Sequence, residues 1–391
     1  MTIIFYAHMG SRGHGANESL LEIVTYLAKK HNCYVVIPVY DSFAEELERR
    51  NIKTFICNYK ISSYGDNKLS ISNPRKSLGT IKWWITKHLQ HKKLLKKHIE
   101  EIQHLQADLI YTNTSVINFG AMVAERLNIK HIWHLREFHY LRGTDFTLRP
   151  DFGFWYLGKQ LRKASKVIVN SNIIKDYYAK IMRSDKKIQI IYNGIIIKEK
   201  QREDNIIEKK HNFLVVGSLD NRKGHIIILK AVQILKTENY PISVAIVGEG
   251  GNRQYLEKYV LDQQLSDYVI FLGQQNDTSI FYQSAQFYIM SSFIEPFGRV
   301  TVEAMMHKLP VIANNSPYNA AKEIIRDGID GLLYNGTPED LAQKMKWIIA
   351  NQTQAKEMGE NGYLHAKENF SFEVMIKKIE RLLSDQISDR F

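Results

Sequence analysis

The sequence predicts an α/β chain of two domains, each built on an open, mostly parallel sheet. Short apolar runs alternate with longer helical patterns along nearly the whole length, the signature of strands joined by crossover helices. The 391 residues also exceed what one ordinary core holds. Near the midpoint, Lys198–Asn212 is highly charged and lacks an apolar period, so it reads as a linker.

In the first half, Ile3–Ala7 is expected as a strand and Glu18–Lys30 as the helix after it. Tyr34–Val39 is the next strand and Phe43–Arg50 the next helix. Asp108–Thr112, His131–His134 and Lys166–Asn170 complete the expected sheet. Past the linker a second series begins, with strands at Phe213–Val216, Ser243–Val247, Val269–Phe271, Phe287–Met290 and Pro310–Ala313. No short-period repeat is visible. Ser62–Ser77 and Tyr140–Phe152 read as surface loops that could shape a cleft facing the second domain.

Bulk properties narrow the function classes. Hydrophobic residues at 44% and charged residues at 24% are those of a globular chain, not a disordered or fibrous one. Cys33 and Cys57 form neither a C-x-x-C pair nor a metal cluster, which points to a reducing compartment. The start, Met1-Thr2-Ile3-Ile4-Phe5-Tyr6, enters an apolar strand without a basic leader. No apolar run reaches the roughly 18 residues of a membrane span, so a cytoplasmic location is expected. A net charge of +12 asks for a negative partner: nucleic acid, an anionic membrane or a phosphorylated substrate.

The segment Ser291-Ser292-Phe293-Ile294-Glu295-Pro296-Phe297-Gly298-Arg299-Val300-Thr301-Val302-Glu303-Ala304-Met305 carries the most information. It leaves a strand and enters a helix expected to run to about Lys308. Gly298, Arg299 and Val300 fall in the first turn, where backbone N–H groups lack partners and the helix dipole is positive. Such a helix tip suits a diphosphate, and Gly298 has no side chain to hold it off. Glu303 lies about one turn further on, and helical side chains lean toward the N-terminus, so its carboxylate reaches toward the same ligand and can accept from a ribose diol. Glu295 stands before the helix, on the sugar side. Two carboxylates at this spacing also fit a helix cap and a solvated surface acid; the Glu-Pro-Phe-Gly and Glu-Ala-Met around them favour the site.

This segment resembles the E-x7-E motif of retaining glycosyltransferases of the GT-B architecture, in particular glycosyltransferase family 4, the group 1 glycosyl transferases. The run His307-Lys308-Leu309-Pro310-Val311-Ile312-Ala313 is similar to the family's usual continuation of the motif. The resemblance covers nearly the whole chain and is strongest in the second half. It implies two Rossmann-like domains facing a central cleft: an acceptor-side domain over 1–197, a donor-nucleotide domain over 198–370, and a C-terminal helix over 371–391 crossing back to the first.

Other stretches fit the same resemblance. Val215-Val216-Gly217-Ser218-Leu219-Asp220-Asn221-Arg222-Lys223-Gly224 is a strand, a turn and a helix start. Arg222 and Lys223 are expected to face the cleft and neutralise the leaving diphosphate as its charge grows. The resemblance maps the family's donor-phosphate lysine to Lys223, with Ser218 where Arg is frequent and Arg222 as compensation. Val247-Gly248-Glu249-Gly250 reads as a structural turn, with Leu272-Gly273-Gln274 nearer the base. In the first half, Gly15 matches one of the family's paired glycines and His14 replaces the other. His134 corresponds to the family's histidine near the donor sugar; a lone histidine at a strand end is also often a satisfied structural residue. Arg136 and Glu137 are expected to pair with each other or touch the acceptor. Asn314–Glu323 replaces a Gly-rich stretch beside the expected sugar.

The resemblance implies catalytic roles for Glu295, His134 and Lys223. It implies donor contacts from Gly15, Arg222, Lys223, Glu295, Phe297, Gly298, Arg299, Val300 and Glu303. The donor is then a UDP- or GDP-type sugar nucleotide, used with no cofactor and no metal, since no Asp-x-Asp pair sits in a plausible donor loop. The acceptor is a glycan or lipid-linked hydroxyl, in bacterial surface polysaccharide or glycolipid assembly. The helix-compatible stretch Ile81–Leu105, with Lys and His interleaved by Trp83, Trp84, Leu89, Leu94 and Leu95, fits either an anionic membrane surface on the inner face of the cell membrane or ordinary packing into the first domain. Two rivals remain: a nicotinamide enzyme, though no G-x-G-x-x-G follows the first strand, and a nucleic-acid binder favoured by charge alone, with no recognised binding module.

Overall fold

A computed structural model of the chain describes residues 1–13, 15–64, 74–139, 141, 149–196 and 211–388. The chain forms two units: Met1–Ile191 together with Ile376–Phe391, and Tyr192–Met375. These borders lie a few residues from the ones expected at 197/198 and 370/371.

Among the described residues, the main sheet of the first unit holds seven strands: β1 (Thr2–Tyr6), β2 (Asn32–Ile37), β3 (Lys53–Ile56), β4 (Leu109–Asn113), β5 (Lys130–Leu135), β6 (Lys166–Val169) and β7 (Ile188–Ile190). Their order is β3-β2-β1-β4-β5-β6-β7, every pairing parallel. A parallel sheet is covered on both faces, so its strands are continuous apolar runs; Ile3, Ile4, Phe5 and Tyr6 are all buried. The end of the chain joins this unit through Lys30 Nζ to Glu380 at 2.7 Å and Lys130 Nζ to the Gln386 carbonyl at 2.6 Å.

The second unit repeats the plan with β8 (His211–Val216), β9 (Val244–Val247), β10 (Val269–Phe271), β11 (Ala285–Met290), β12 (Val311–Asn314) and β13 (Leu332–Tyr334), ordered β10-β9-β8-β11-β12-β13. Alternation along its strands divides two cores, because successive side chains point to opposite faces. Phe213, Val215, Val244, Ile246, Phe287 and Ile289 meet Ile228, Leu229 and Val232 of the His225–Thr237 helix on one face. Leu214, Ala245, Val247, Tyr288 and Met290 meet Val302, Met305 and Met306 of the Arg299–Met306 helix on the other.

Several local expectations change. Residues 74–77, read as loop, open the Pro74–Ile102 helix, and Ser63–Tyr64 pairs as a short antiparallel bridge with Arg149–Pro150. The remainder of those two loops, 65–73, 140 and 142–148, lies outside the described residues, as do His14 and most of the linker. The helix after β1 begins at Gly15 and stops at Leu27, earlier at both ends than expected. Cys33 and Cys57 are buried free thiols. No helix among the described residues is long and apolar enough to cross a membrane.

Candidate active site

In an open parallel sheet, ligands bind beyond the carboxyl ends of the strands, where the strand order reverses. In the second unit that point lies between β8 and β11, and the loops leaving these two strands carry the predicted residues.

Three loops are stitched together on the β8 side. Gly217 N–H donates to the Val247 carbonyl at 3.0 Å, Leu219 N–H to Glu249 at 2.9 Å and Gly248 N–H to Gly273 at 2.8 Å. Gly248, at φ 145°, lies so close that a Cβ there would stand 1.9 Å from the Gly217 oxygen. Asp220 then caps the Asn221–Lys223 turn, accepting from the Arg222 N–H at 3.0 Å. Its carboxylate also takes the Arg222 guanidinium through two bonds, 3.1 and 2.9 Å, and the Ser218 hydroxyl at 2.7 Å. Burial pushes the Asp220 carboxyl up, but the bonds from Arg222 and Ser218 hold it below its ordinary value; the bond to Asp220 raises Arg222 in return. Of the two cations expected to neutralise a diphosphate, Arg222 shares its charge with Asp220, an acid whose role the sequence reading passed over.

Lys223 points the other way. Its Nζ lies 2.6 Å from Glu295 Oε2, with both side chains partly exposed. The sequence motif placed these two residues 72 positions apart; the fold makes them an ion pair across the switch point. Around them the loops interlock. Phe293 N–H donates to the Arg222 carbonyl at 2.7 Å and the Ser291 hydroxyl to the Lys223 carbonyl at 2.6 Å.

The Glu295 loop has a second support. Ile294–Glu295 pairs in parallel with Tyr318–Asn319, and the Glu295 carbonyl accepts from the Ala320 N–H at 3.0 Å. Asn319, fully buried, donates to the Ser292 carbonyl at 2.7 Å and accepts from the Ala321 N–H at 2.8 Å. Asn314 donates to the Ser291 carbonyl at 3.2 Å, and the Ser316 hydroxyl to the Phe293 carbonyl at 2.7 Å. The stretch that departs from the family's Gly-rich pattern is therefore a scaffold of amides and hydroxyls under Glu295. The reading missed these roles, although three Asn and a Ser between strand and helix were the signal.

Gly298, at φ 95°, is the N-cap of the Arg299–Met306 helix, and no side chain caps it. The Thr301 and Val302 N–H groups turn back on the Gly298 carbonyl at 3.0 and 3.3 Å. Arg299 and Val300 are half-buried in that turn. Phe297 turns inward instead, packing on Tyr192 and Phe370 at centroid distances of 6.0 and 5.8 Å; its contribution to any ligand is restricted to its backbone. Glu303 is half-buried and accepts from the Tyr282 hydroxyl at 3.1 Å, while Tyr282 stacks on His307 at 5.1 Å. Tyr282 orients the carboxylate and was not anticipated.

In the first unit, Gly15 opens the helix after β1. The preceding loop is shaped by that helix: Asn17 donates to the Met9 and Ser11 carbonyls, and Glu18 pairs with Arg12 at 2.8 Å and accepts from the Gly13 N–H at 3.0 Å. His134, read as catalytic, has 0% exposure. Its Nδ1 meets the Tyr111 hydroxyl at 2.5 Å and the Arg136 guanidinium at 3.1 Å. Burial first, and then Arg136, push its pKa well below the ordinary value, which keeps the ring neutral. Arg136 Nε continues the network to Asn113 Oδ1 at 2.8 Å, and Asn113 donates to the Ala16 carbonyl at 3.0 Å. This network holds His134 through Nδ1 and, among the described residues, leaves its Nε2 without a hydrogen-bond partner. Glu137 accepts from both the N–H and the hydroxyl of Ser115, and burial raises its pKa. Its side chain bonds the Arg136 N–H at 3.2 Å. Among the described residues no cluster of three His, Cys, Asp or Glu is placed to hold a metal.

Comparisons with known proteins agree on the type of molecule. The profile described as Glycosyltransferase Family 4 matches residues 13–199, and that described as Glycosyl transferases group 1 matches 197–365. The Campylobacter jejuni GalNAc-alpha-(1->4)-GalNAc-alpha-(1->3)-diNAcBac-PP-undecaprenol alpha-1,4-N-acetyl-D-galactosaminyltransferase is 31% identical over 50% of the chain and 53% of its own length. The alpha-monoglucosyldiacylglycerol synthase of Streptococcus pneumoniae is 24% identical over 74% of the chain and 70% of its own. Among solved structures, Anabaena HepE in complex with UDP superposes with a TM-score of 0.77 at 22% identity, covering 98% of the chain and all of that protein. That likeness bears on the fold, which is the GT-B type of two Rossmann-like domains.

Proposed function

Because the chain belongs to glycosyltransferase family 4, the group 1 glycosyl transferases, we propose that it moves a hexosyl unit from a nucleoside diphosphate sugar to a hydroxyl, with retention at the anomeric carbon. The observation that carries this reading is the Lys223–Glu295 pair of 2.6 Å beside the uncapped tip of the Arg299–Met306 helix. A cation and the positive end of a helix dipole suit a diphosphate; a carboxylate next to them suits sugar hydroxyls.

The second unit is the donor-nucleotide side and the first the acceptor side. When donor binds, Lys223 leaves Glu295 for the diphosphate, and the amides after Gly298 take its oxygens. As the glycosidic bond breaks, these groups stabilise the growing negative charge on the leaving group. Glu295, released, holds sugar hydroxyls and stabilises the oxocarbenium-like state. Glu303, held by Tyr282, accepts from the ribose diol. Arg222 adds a shared rather than a full charge. Gly15 lets the loop after β1 approach the donor. No metal is needed, so chelator leaves turnover unchanged.

The donor is of the UDP or GDP type; UDP in the HepE complex favours the former. The acceptor is a glycan or a lipid-linked saccharide, in keeping with the undecaprenol-linked and diacylglycerol names of the two relatives, and the setting is surface polysaccharide or glycolipid assembly at the cytoplasmic face of the cell membrane. The test is a panel of UDP-, GDP- and other activated sugars, read by thermal stabilisation and donor hydrolysis, with the anomeric configuration of the product assigned by NMR. An inverted product, or no stabilisation by any sugar nucleotide, sinks the reading.

A further inference from the structure

The stretch Ile81–Leu105 allowed two readings, a basic face on a membrane or tryptophans packed into the first domain, and nearly all of it lies within the Pro74–Ile102 helix. Trp83 and Trp84 are half-buried: Trp83 lies under the Lys87 ammonium at 4.5 Å, and Trp84 packs on Phe152 at 5.3 Å. Lys87 itself is buried in an ion pair with Asp151. A different set faces outward. Ile85 and Leu89 are 52% and 59% exposed, and they share a stripe with Lys82, Lys93 and Lys96 at spacings of three and four.

A second helix extends this surface. Gly153–Lys163 exposes Trp155 at 67%, together with Lys159, Arg162 and Lys163, and Phe152 just before it is also exposed. Phe152 touches Trp84 and His88, which neighbour Ile85 and Leu89 in the first helix, so the start of the second helix lies against the first. Lys82 to Ile99 contains six lysines, three histidines and no acid, and Gly153–Lys163 has three cations and no acid. Lys163 pairs with Glu125 and Lys159 sits 5.6 Å over the Trp155 ring; the others on the stripe carry their charge outward.

Exposed large apolar side chains cost solubility unless something receives them. A lone exposed leucine needs no explanation, but Ile85, Leu89, Phe152 and Trp155 lie on adjoining helices ringed by cations. Nucleic acid answers the charge but gives no home to aliphatic Ile85 and Leu89, because bases stack on aromatic rings. An acidic bilayer answers both: the apolar groups enter the headgroup–acyl boundary while the lysines meet anionic headgroups. We infer that Ile85, Leu89, Phe152 and Trp155, with the surrounding lysines, form the face by which this chain docks on an anionic lipid surface. The inference goes beyond the transfer reaction and does not need it.

The test is co-sedimentation of the full chain with phosphatidylcholine vesicles containing or lacking phosphatidylglycerol. The chain should sediment with the anionic vesicles and be released by high salt. Leu89→Ser with Trp155→Ser should lower the partition coefficient at least about tenfold, and Lys93→Glu with Lys96→Glu should abolish the preference for phosphatidylglycerol. Thermal melts establish that both variants fold, and stabilisation by sugar nucleotide should be unchanged in them, so a failure here is separate from a failure at the donor site. Equal sedimentation of wild type and Leu89→Ser/Trp155→Ser overturns the proposal. So does a concentration-dependent dimer, abolished by the same substitutions, in a chain that ignores vesicles.

Discussion

The carboxyl edges of the two sheets are built on the same strand order but used differently. At the second, between β8 and β11, the charged groups Lys223 and Glu295 are partly open and, among the described residues, held only by each other at their tips. At the first, between β1 and β4, the polar groups are sealed: His134, Asn113 and Thr114 are buried, and Thr114 takes the left-handed region at φ 94° with its N–H on the His134 carbonyl at 2.8 Å. A β-branched residue occupies that region only when its surroundings force it; here the Trp133 indole also grips the Thr114 carbonyl at 2.7 Å. One edge keeps its charges exchangeable, and the other spends its polar atoms on shape. Titratable side chains at a strand end indicate chemistry only where they are left something to let go of.

The sharpest way to break this contrast is at the two adjacent cations. Lys223→Ala should lower kcat by about 10²–10³, the usual loss when one preorganised charge on the leaving group is removed. Arg222→Ala should cost about tenfold or less, because Asp220 already shares its charge. Comparable losses in both, measured as donor hydrolysis, would mean the Asp220 pairing opens on binding.

Acid should separate the two units next. Burial lowers His91 to about 4, His131 to about 3 and His139 to about 4 in the first unit, and burial with Arg136 pushes His134 well below its ordinary value; in the second, His225 falls to about 4. A histidine whose folded pKa is depressed takes up its proton more readily when unfolded. Its contribution is full above about 6.5 and is lost as pH falls from there toward 4, by up to about 1.4 kcal/mol per pH unit for each such group. With His31, His88 and His98 also lowered in the first unit and His365 in the second, seven such groups stand against two among the described residues, so the first unit should unfold at the higher pH. Hydrogen exchange resolved by segment, from pH 7 down to 4, checks this; simultaneous opening would contradict it.

Smaller effects sharpen the site itself. Glu303→Ala should raise the donor KM about tenfold with kcat little changed, since a ribose contact is made equally in ground and transition states. Tyr282→Phe removes one hydrogen bond to that carboxylate and should raise KM by about two- to fivefold. Smallest of all on turnover, His134→Gln should leave kcat within about twofold while lowering the melting temperature, through loss of a buried partner to Tyr111 and Arg136. A large kcat loss in that variant, at unchanged stability, would return His134 to the reacting centre.

The alternation of apolar runs and helical patterns made most of both sheets legible, because parallel strands are buried on two faces and read as unbroken apolar stretches. Lys53–Ile56, Ile188–Ile190 and Leu332–Tyr334 escaped notice: at three or four residues each they are too short for any period. The motif containing Glu295, Gly298 and Glu303 was legible because its elements are consecutive in the chain. Partners brought in from other loops were not. Tyr282 behind Glu303 and Asn319 under Ser292 become neighbours only once the chain folds around β11 and β12, whereas Asp220, two residues before Arg222, was in plain view and passed over. His134 shows the converse, where position in a motif does not reveal how deeply a ring is buried.

Gly224 bears on how this chain can be altered. A single carbon added at its α position would sit 2.3 Å from the Ser291 oxygen, and its own φ of 66° already disfavours other residues. The turn bearing the lysine and the strand end leading to the glutamate are therefore in close main-chain contact here, with the Phe293 ring 3.2 Å from the same point. A methyl group introduced there would act as a wedge, driving ammonium and carboxylate apart while leaving both chemically intact. Redesign of this site has no room at this seam.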